Sequence, residues 1–172
     1  MLKEVEGDLL LTNAQVIAHG IAPEDHFDSG LALALRERWP SMVRDYRHAM
    51  RREPLEPGDI WAWSGVDEGG RRIEIVNLLT QDMHRGHAGK ASLLNVSHSL
   101  KALARHVREE GIRSLALPRL ATGVGGLEWV DVRPLVQQHL GELGIPVIVY
   151  TTYHADVAAN EGLSAQRDFS PA

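Results

Sequence analysis

Residues 118–129 constrain this chain more than any other stretch, because they join a short apolar segment to a helix through a glycine-rich turn. Residues 114–117 are short, apolar and bounded by proline, which predicts a buried strand. Apolar residues recur at helical spacing over residues 129–140. Residues 120–127, which lie between the two, carry no charge. The chain is therefore expected to run from strand to turn to helix without interruption.

The glycine-rich turn has two interpretations that its residues leave open. Glycine lets the backbone approach a ligand closely, and free N–H groups at a helix N-terminus attract an anion, so the turn is typical of a phosphate-binding loop. A plain connection between a strand and a helix also uses glycine where φ is positive. The spacing matches neither GxGxxG nor GxxxxGK[ST], so neither a dinucleotide-binding fold nor a P-loop is indicated.

A second turn of the same form precedes the first predicted helix. Residues 16–21 predict a buried strand that leads into a loop. Residues 31–39 predict a helix, for which Asp28 or Ser29 is a suitable N-cap. Because small residues open this helix as well, the turn is a second candidate for binding a phosphate.

The remaining elements complete an α/β pattern. They are a strand ending near residue 8, a helix over 41–51, hairpin strands over 59–64 and 71–79, a polar loop over 80–89, a helix over 90–108, and a last strand over 147–153. This order predicts a three-layer α/β/α fold with a mixed central sheet, whose loops gather at one edge. We expect one domain over residues 1–154 and a C-terminal tail over 155–172 that frays.

Composition narrows the class of protein. The 172 residues include no cysteine, which fits a reducing compartment and excludes thiolate nucleophiles. We find no signal peptide and no apolar run of membrane-spanning length, so we expect a cytoplasmic monomer. Nine histidines are present, but without an HExxH motif they predict no metal site, and we expect no cofactor.

Arginines cluster in the first third of the chain, although the formal net charge is −5. They are Arg36, Arg38, Arg44, Arg47, Arg51 and Arg52. They form either a local basic patch or a solvated helix face in which Glu37, Asp45 and Glu53 pair with them.

The assembled motifs resemble those of the macrodomain family. The matching segments are residues 7–10, 18–21, 29–32, 59–60, 79–81, 90–96, 118–129 and 149–151. They occur in order over nearly the whole chain up to Tyr153. The Pro-Arg-x-x-x-Gly-x-x-x-Leu-x-Trp pattern that starts at Pro118 is the most specific. It is similar to the branch that contains terminal ADP-ribose protein glycohydrolase and the antitoxin macrodomains that remove ADP-ribose from DNA.

The resemblance implies an ADP-ribose site. Asp8 would receive the adenine amino group, and Leu9 would line the adenine pocket. Two loops would hold the diphosphate, and residues after the last strand would border the adenosine. The further ligand-binding residues that it implies are His19, Gly20, Ile21, Ser29, Gly30, Leu31, Thr122, Gly123, Val124, Gly125, Gly126, Leu127, Thr152 and Tyr153.

Two departures from the branch concern catalysis. Its hydrolases are expected to carry a lysine directly after the threonine of the Leu-Thr segment, where this chain has Gln81, which cannot form a Schiff base. The eukaryotic enzyme has an aspartate where this chain has Gly125. The candidates for an alternative route are therefore Gln81 itself and the loop residues Asp28, Asp82, His84 and Lys90. For any single one of these four loop residues, a solvated position without a catalytic role is the favoured interpretation.

Two classes of function remain. The first is a hydrolase that removes mono-ADP-ribose from a modified macromolecule, with esters to Glu or Asp side chains as the preferred substrate. ADP-ribosylated nucleic acid and a free metabolite such as ADP-ribose 1″-phosphate are the alternatives. The second is a reader that binds ADP-ribose without turnover. The expected partner in both is ADP-ribose or an ADP-ribosylated macromolecule.

Overall fold

The computed structural model describes residues 2–66, 69–84 and 87–163. The strands are β1 (Leu2–Gly7), β2 (Val16–Ile21), β3 (Ile60–Val66), β4 (Arg72–Leu79), β5 (Gln81–His84), β6 (His87–Ala91), β7 (Leu115–Pro118) and β8 (Val147–Tyr153). The helices are α1 (Gly30–Arg38), α2 (Pro40–Arg52), α3 (Leu93–Glu110) and α4 (Trp129–Leu140), with a 3₁₀ turn at Leu9–Leu11. The bounds of α4 and β8 agree with those predicted from the sequence.

The central sheet has six strands in the order β1-β8-β7-β2-β4-β3. Its neighbours pair in parallel except β3, which runs antiparallel to β4 at one edge. The predicted mixed sheet is thereby confirmed. Because five strands point the same way, the loops that follow β1, β2, β4, β7 and β8 leave from one edge, where ligands bind in sheets of this kind.

Helices cover both faces of the sheet, which confirms the three-layer architecture. Helices α3 and α4 contribute Val96, Leu100 and Val136 to one apolar core. Helices α1 and α2 contribute Leu35 and Met42 to the other. Successive strand residues alternate between the two cores because side chains in a strand point to opposite faces. In the part of the chain that is described, no helix is long and apolar enough to cross a membrane.

The prediction of a polar loop over residues 80–89 is wrong, because β5 and β6 pair there as an antiparallel hairpin. Gly89 permits this pairing, since a Cβ at that position would lie 2.8 Å from the carbonyl oxygen of Asp82. Helix α3 begins at Leu93 rather than at residue 90, because Ser92 caps it by accepting a hydrogen bond from Asn95 N at 3.0 Å. A polar segment is thus held as strand by its backbone pairing.

The expectation that the chain frays from Ala155 is wrong for residues 155–163. The backbone N–H of Asp8 donates to Val157 O at 2.7 Å. Glu161 is only 6% exposed. It accepts hydrogen bonds from Tyr150 Oη at 2.7 Å and from Asn13 N at 2.8 Å. Residues 164–172 lie outside the described residues, and the predicted domain boundary at 154 stays a prediction.

Candidate functional site: a cleft at the sheet edge

A cavity of about 400 Å³ opens at the edge where the parallel strands end. It is lined by Gly7, Leu9, Leu10, Gly30, Leu31, Ala34, Pro118, Tyr150 and Tyr153. The structure therefore brings together four residues of the predicted site: Leu9, Gly30, Leu31 and Tyr153. Their segments are far apart in the sequence, and the parallel sheet gathers them.

Asp8 lies beside this cavity at the end of β1 and is only 5% exposed. Its Oδ1 accepts a hydrogen bond from Leu10 N and its Oδ2 accepts one from Asp156 N, each at 3.0 Å. A carboxylate can accept about four hydrogen bonds, so acceptor capacity remains for a ligand amino group. The C-terminal segment thus holds the carboxylate that the resemblance implies as the adenine acceptor.

The N-terminus of α1 is uncapped at the mouth of the cavity. Ser29 occupies the N-cap position, but its side chain makes no cap hydrogen bond, and Asp28 does not take that position. The first N–H groups of a helix have no partner within the helix, and the helix dipole favours an anion there. Gly30, with a φ of +56°, is exposed at this end. The arrangement is suited to a phosphate.

The glycine-rich loop folds into two nested turns. Leu127 N donates to Ala121 O at 2.9 Å, and Gly126 N donates to Gly123 O at 3.1 Å. Within the described residues, the N–H groups of residues 122–124 make no hydrogen bond. Gly123 and Val124 are exposed. These N–H groups are therefore free to donate to an anion, which favours the phosphate-binding interpretation of the loop over a plain connection.

Gly125 shapes the loop from within. It is buried, and its carbonyl oxygen accepts a hydrogen bond from Ala91 N at 3.0 Å, which ties the loop to β6. A Cβ at this position would lie 2.6 Å from Ala121 O. The close backbone approach requires glycine, so the aspartate expected from the eukaryotic enzyme does not fit this loop without a shift of the backbone.

The loop over residues 22–29 is held rigidly beside the cleft. Asp25 accepts hydrogen bonds from Phe27 N at 2.8 Å and from Ala22 N at 3.1 Å. Phe27 is fully buried although its φ is +54°, and its ring packs edge-on against Tyr46. Tyr46 in turn donates to Pro23 O at 2.6 Å. Burial of the ring offsets the backbone strain and fixes the loop.

His19 and Ile21 lie inside the protein rather than on the cleft surface. His19 is 2% exposed, and its Nε2 lies 2.6 Å from Asn77 Oδ1. Ile21 is fully buried. At Gly20, a Cβ would lie 2.6 Å from Thr80 Oγ1. At residues 19 and 21, any contact with a ligand would have to come from the backbone.

A second cavity of about 590 Å³ brings together two of the catalytic candidates. Asp82 and Lys90 both line it, with Pro23 on the opposite loop. The Lys90 Cδ lies 4.0 Å from where a Cβ would stand at Gly126, so the exposed amine is beside the glycine-rich loop. Asp82 Oδ1 accepts a hydrogen bond from Asn95 Nδ2 at 3.0 Å.

The other candidates are placed differently. Gln81 is 6% exposed, and its Nε2 donates to Gly89 O at 2.9 Å, so the side chain braces the hairpin. Asp28 is exposed and lines neither cavity. The side chain of His84 lies outside the described residues. Within residues 2–66, 69–84 and 87–163, no three His, Asp or Glu side chains gather to hold a metal ion.

The pattern of one protein family matches this chain over residues 16–136, and that family is the Macro domain. The chain belongs to the macrodomain family. It is 30% identical over 151 residues to the DNA ADP-ribosyl glycohydrolase of Thermus aquaticus, covering 87% of this chain and 41% of that protein. It is 22% identical over 148 residues to the human ADP-ribose glycohydrolase OARD1, covering 86% of this chain and 89% of that protein.

A solved structure supports the assignment of the macrodomain fold. The structure of Thermosipho africanus DarTG in complex with ADP-ribose matches with a TM-score of 0.77 at 25% identity, over 91% of this chain and 42% of that one. The expected macrodomain fold and the branch that the motifs resemble are confirmed. This macrodomain spans about two fifths of the bacterial relative's length.

Sequence reasoning missed several residues that line the macrodomain cleft. Gly7, Leu10, Ala34, Pro118 and Tyr150 border the first cavity, but were not among the predicted ligand-binding residues. Most of them lie in or just beyond the carboxyl ends of parallel strands, a position that itself marks a ligand site in such sheets. The hydrogen bond from Asp156 N to Asp8 left no signal in the sequence, because it joins segments about 150 residues apart.

Proposed function

We propose that this macrodomain binds ADP-ribose in its cleft and hydrolyses the bond between ADP-ribose and a modified macromolecule. The observation that carries the proposal is the course of the glycine-rich loop. It starts after Pro118, in the first cavity, and reaches Gly126, beside Lys90 in the second cavity. A ligand whose diphosphate is held by this loop would extend into both cavities.

The two cavities suit the two ends of ADP-ribose. The first is lined mainly by apolar side chains, with the acidic Asp8 beside it and Tyr153 at its rim, which suits an adenine base. The uncapped start of α1 and the free N–H groups of residues 122–124 offer donors to the diphosphate. The distal ribose would then point toward Asp82 and Lys90.

Lys90 and Asp82 are the residues to which we assign the chemistry. In hydrolysis, water forms a new bond to C1″ while the bond from C1″ to the macromolecule breaks, and a proton reaches the leaving group. Asp82 Oδ2, which has no hydrogen-bond partner among the described residues, can orient the water, and the amine of Lys90 can donate a proton to the leaving group. We assign no such role to Gln81, because its Nε2 donates to Gly89 O within the hairpin.

A release assay with two substrates tests the proposal. Mono-ADP-ribosylated protein with Glu or Asp esters and ADP-ribosylated single-stranded DNA are incubated with the protein, and free ADP-ribose is measured. We expect release from one of them well above the uncatalysed rate. Esters to Glu or Asp stay the prediction from the sequence, whereas the similarity to bacterial DNA ADP-ribosyl glycohydrolases favours the nucleic acid.

Lys90→Ala is the informative variant. We expect it to lower the rate of release by about 10²- to 10⁴-fold, since a proton donor is lost, and to leave ADP-ribose affinity by calorimetry within a few-fold. Lys101→Ala, which removes an exposed lysine from α3, serves as the matched control. Normal release by Lys90→Ala would contradict the assigned role.

A reader without turnover is the second candidate, because the aspartate and lysine positions expected from the branch hold Gly125 and Gln81. ADP-ribose binding by calorimetry with no release from either substrate would support the reader. Absence of binding at millimolar ADP-ribose would contradict both functions.

A further inference from the structure

Helices α1 and α2 form a groove of about 390 Å³ whose charged lining is entirely arginine. Its residues are Arg36, Pro40, Val43, Arg44, Arg47 and Arg51. Arg44, Arg47 and Arg51 follow one another at intervals of three and four residues, which places them on one stripe of α2. The stripe extends over about 10 Å of the helix axis, and Arg36 of α1 joins it.

The arginines are not neutralised by the acids that stand near them in the sequence. Among the residues that the structure describes, the one carboxylate within 4.0 Å of these side chains is Asp45, 3.9 Å from Arg44 Nε. The other oxygen of Asp45 accepts a hydrogen bond from Trp63 Nε1 at 2.9 Å, which turns the carboxylate toward β3. Segment 30–52 holds six arginines against two acids, within a chain whose net charge is −5.

The loop over residues 22–29 connects the groove to the second cavity. Arg36 and Arg47 donate to His26 O at 3.3 and 3.4 Å. Pro23 of the same loop lines the cavity that holds Lys90. A polymer attached to ADP-ribose at its C1″ end would therefore pass over this short, rigid loop to reach the arginines.

We propose that the groove between α1 and α2 binds the phosphodiester backbone of a polynucleotide to which ADP-ribose is attached. This inference rests on the proposed function and names the class of macromolecule that the site acts on. Evenly spaced guanidinium groups match evenly spaced phosphates, and each contact is a charge-assisted hydrogen bond. The negative charge elsewhere on the protein would direct a polyanion to this groove.

The first test measures binding of a fluorescent, unmodified single-stranded DNA of about 12 nucleotides by anisotropy over a range of salt concentrations. The variant is Arg44→Ala/Arg51→Ala. Both arginines are exposed, and replacing them leaves the hydrogen bonds from Arg36 and Arg47 to His26 O in place. Loss of two phosphate contacts should reduce the slope of log K against log salt by about 1.4. At about 0.15 M salt the same loss weakens binding about tenfold.

The matched control is Arg105→Ala/Arg108→Ala, which removes two exposed arginines from α3. It should leave the slope unchanged, and thermal melting should confirm that both double variants fold. An equal loss in both variants, or no loss in either, would overturn the proposal. So would equal binding of a poly-glutamate peptide, because it would indicate an acidic protein instead. The same anisotropy measurement with RNA and with duplex DNA identifies which polynucleotide binds best.

A second test separates this inference from the proposed function. On ADP-ribosylated single-stranded DNA, Arg44→Ala/Arg51→Ala should raise KM about tenfold at 0.15 M salt without changing kcat, and calorimetry should give unchanged affinity for free ADP-ribose. If ADP-ribose binds but the oligonucleotide does not, the groove is not a polynucleotide site, and the cleft function is unaffected. If the oligonucleotide binds but ADP-ribose does not, the proposed function fails.

Discussion

His19 is a buried residue of β2, and its Nε2 donates to Oδ1 of Asn77 on the neighbouring strand β4. Burial lowers the pKa of this imidazole from its usual 6.5 to about 4, although the hydrogen bond to Asn77 Oδ1 and the carboxylate of Asp25 act in the opposite direction. The side chain is therefore neutral at physiological pH. The resemblance places His19 in the ligand site, but its side chain is buried in the core.

We predict that His19 makes the protein less stable in acid. The unfolded chain binds a proton at His19 near pH 6.5, whereas the folded protein binds it only near pH 4. The contribution of His19 to the free energy of unfolding is therefore fully present above pH 6.5. It falls by about 3 kcal/mol as the pH drops from 6.5 to 4. Urea unfolding at several pH values measures the effect.

His19→Gln should flatten the pH dependence between 4 and 6.5, because the titrating group is gone. The exposed His48→Gln is the matched control and should keep the wild-type profile. If His19→Gln retained the full pH dependence, other groups would be responsible and the prediction would be wrong.

At the scale of elements, the cleft is made from the ends of secondary structures whose N–H groups lack partners. The start of α1 has no side-chain cap, and in the described structure the backbone N–H groups of residues 122–124, in the glycine-rich loop before α4, make no hydrogen bond. A helix end is normally satisfied by a cap, by water or by a ligand. An uncapped helix end and a loop with unpaired N–H groups at one sheet edge are therefore better explained by an anion than by a plain chain connection.

Gly125 and Gly123 should respond differently to alanine. Gly125→Ala would push a Cβ to 2.6 Å from Ala121 O, so we expect it to destabilise the protein by about 1–3 kcal/mol. Gly123→Ala meets no atom within 4 Å and should change stability by less than about 1 kcal/mol. Chemical denaturation of the two variants makes the comparison, and equal losses would count against the described loop geometry.

At the scale of the whole molecule, the C-terminal segment packs beside the end of the cleft that we propose for adenine. Glu161 accepts from Thr12 Oγ1, Asn13 N and Tyr150 Oη, and so joins both ends of the chain to a cleft residue. Asp156 N reaches Asp8 in the same region. Residues that were expected to fray therefore organise the site.

Glu161→Gln should lower the free energy of unfolding by about 1–3 kcal/mol. The amide NH₂ cannot accept a hydrogen bond, so one buried donor among the three partners would lose its acceptor. Glu142→Gln, an exposed position, should change stability by less than about 0.5 kcal/mol. Thermal and urea unfolding compare the two, and an unchanged Glu161→Gln protein would show that the segment contributes little to stability.

The sequence by itself determined the elements whose signals are local. Apolar periodicity and flanking glycine or proline located α4, β8 and the hairpin of β3 and β4, and their order predicted the mixed sheet and its functional edge. The motifs that follow these strands also pointed to the family. Local patterns suffice here because each element buries its own apolar face and is ended by its own residues.

Only the tertiary structure decided which candidate side chains meet the cleft. In the folded protein the side chain of Gln81 binds within the hairpin, and Lys90 lies beside Gly126. Four arginines line one groove. It also brought residues 155–163 back onto Asp8 and Tyr150. Packing between separate elements determines these contacts, and the periodicity within any one element does not encode them.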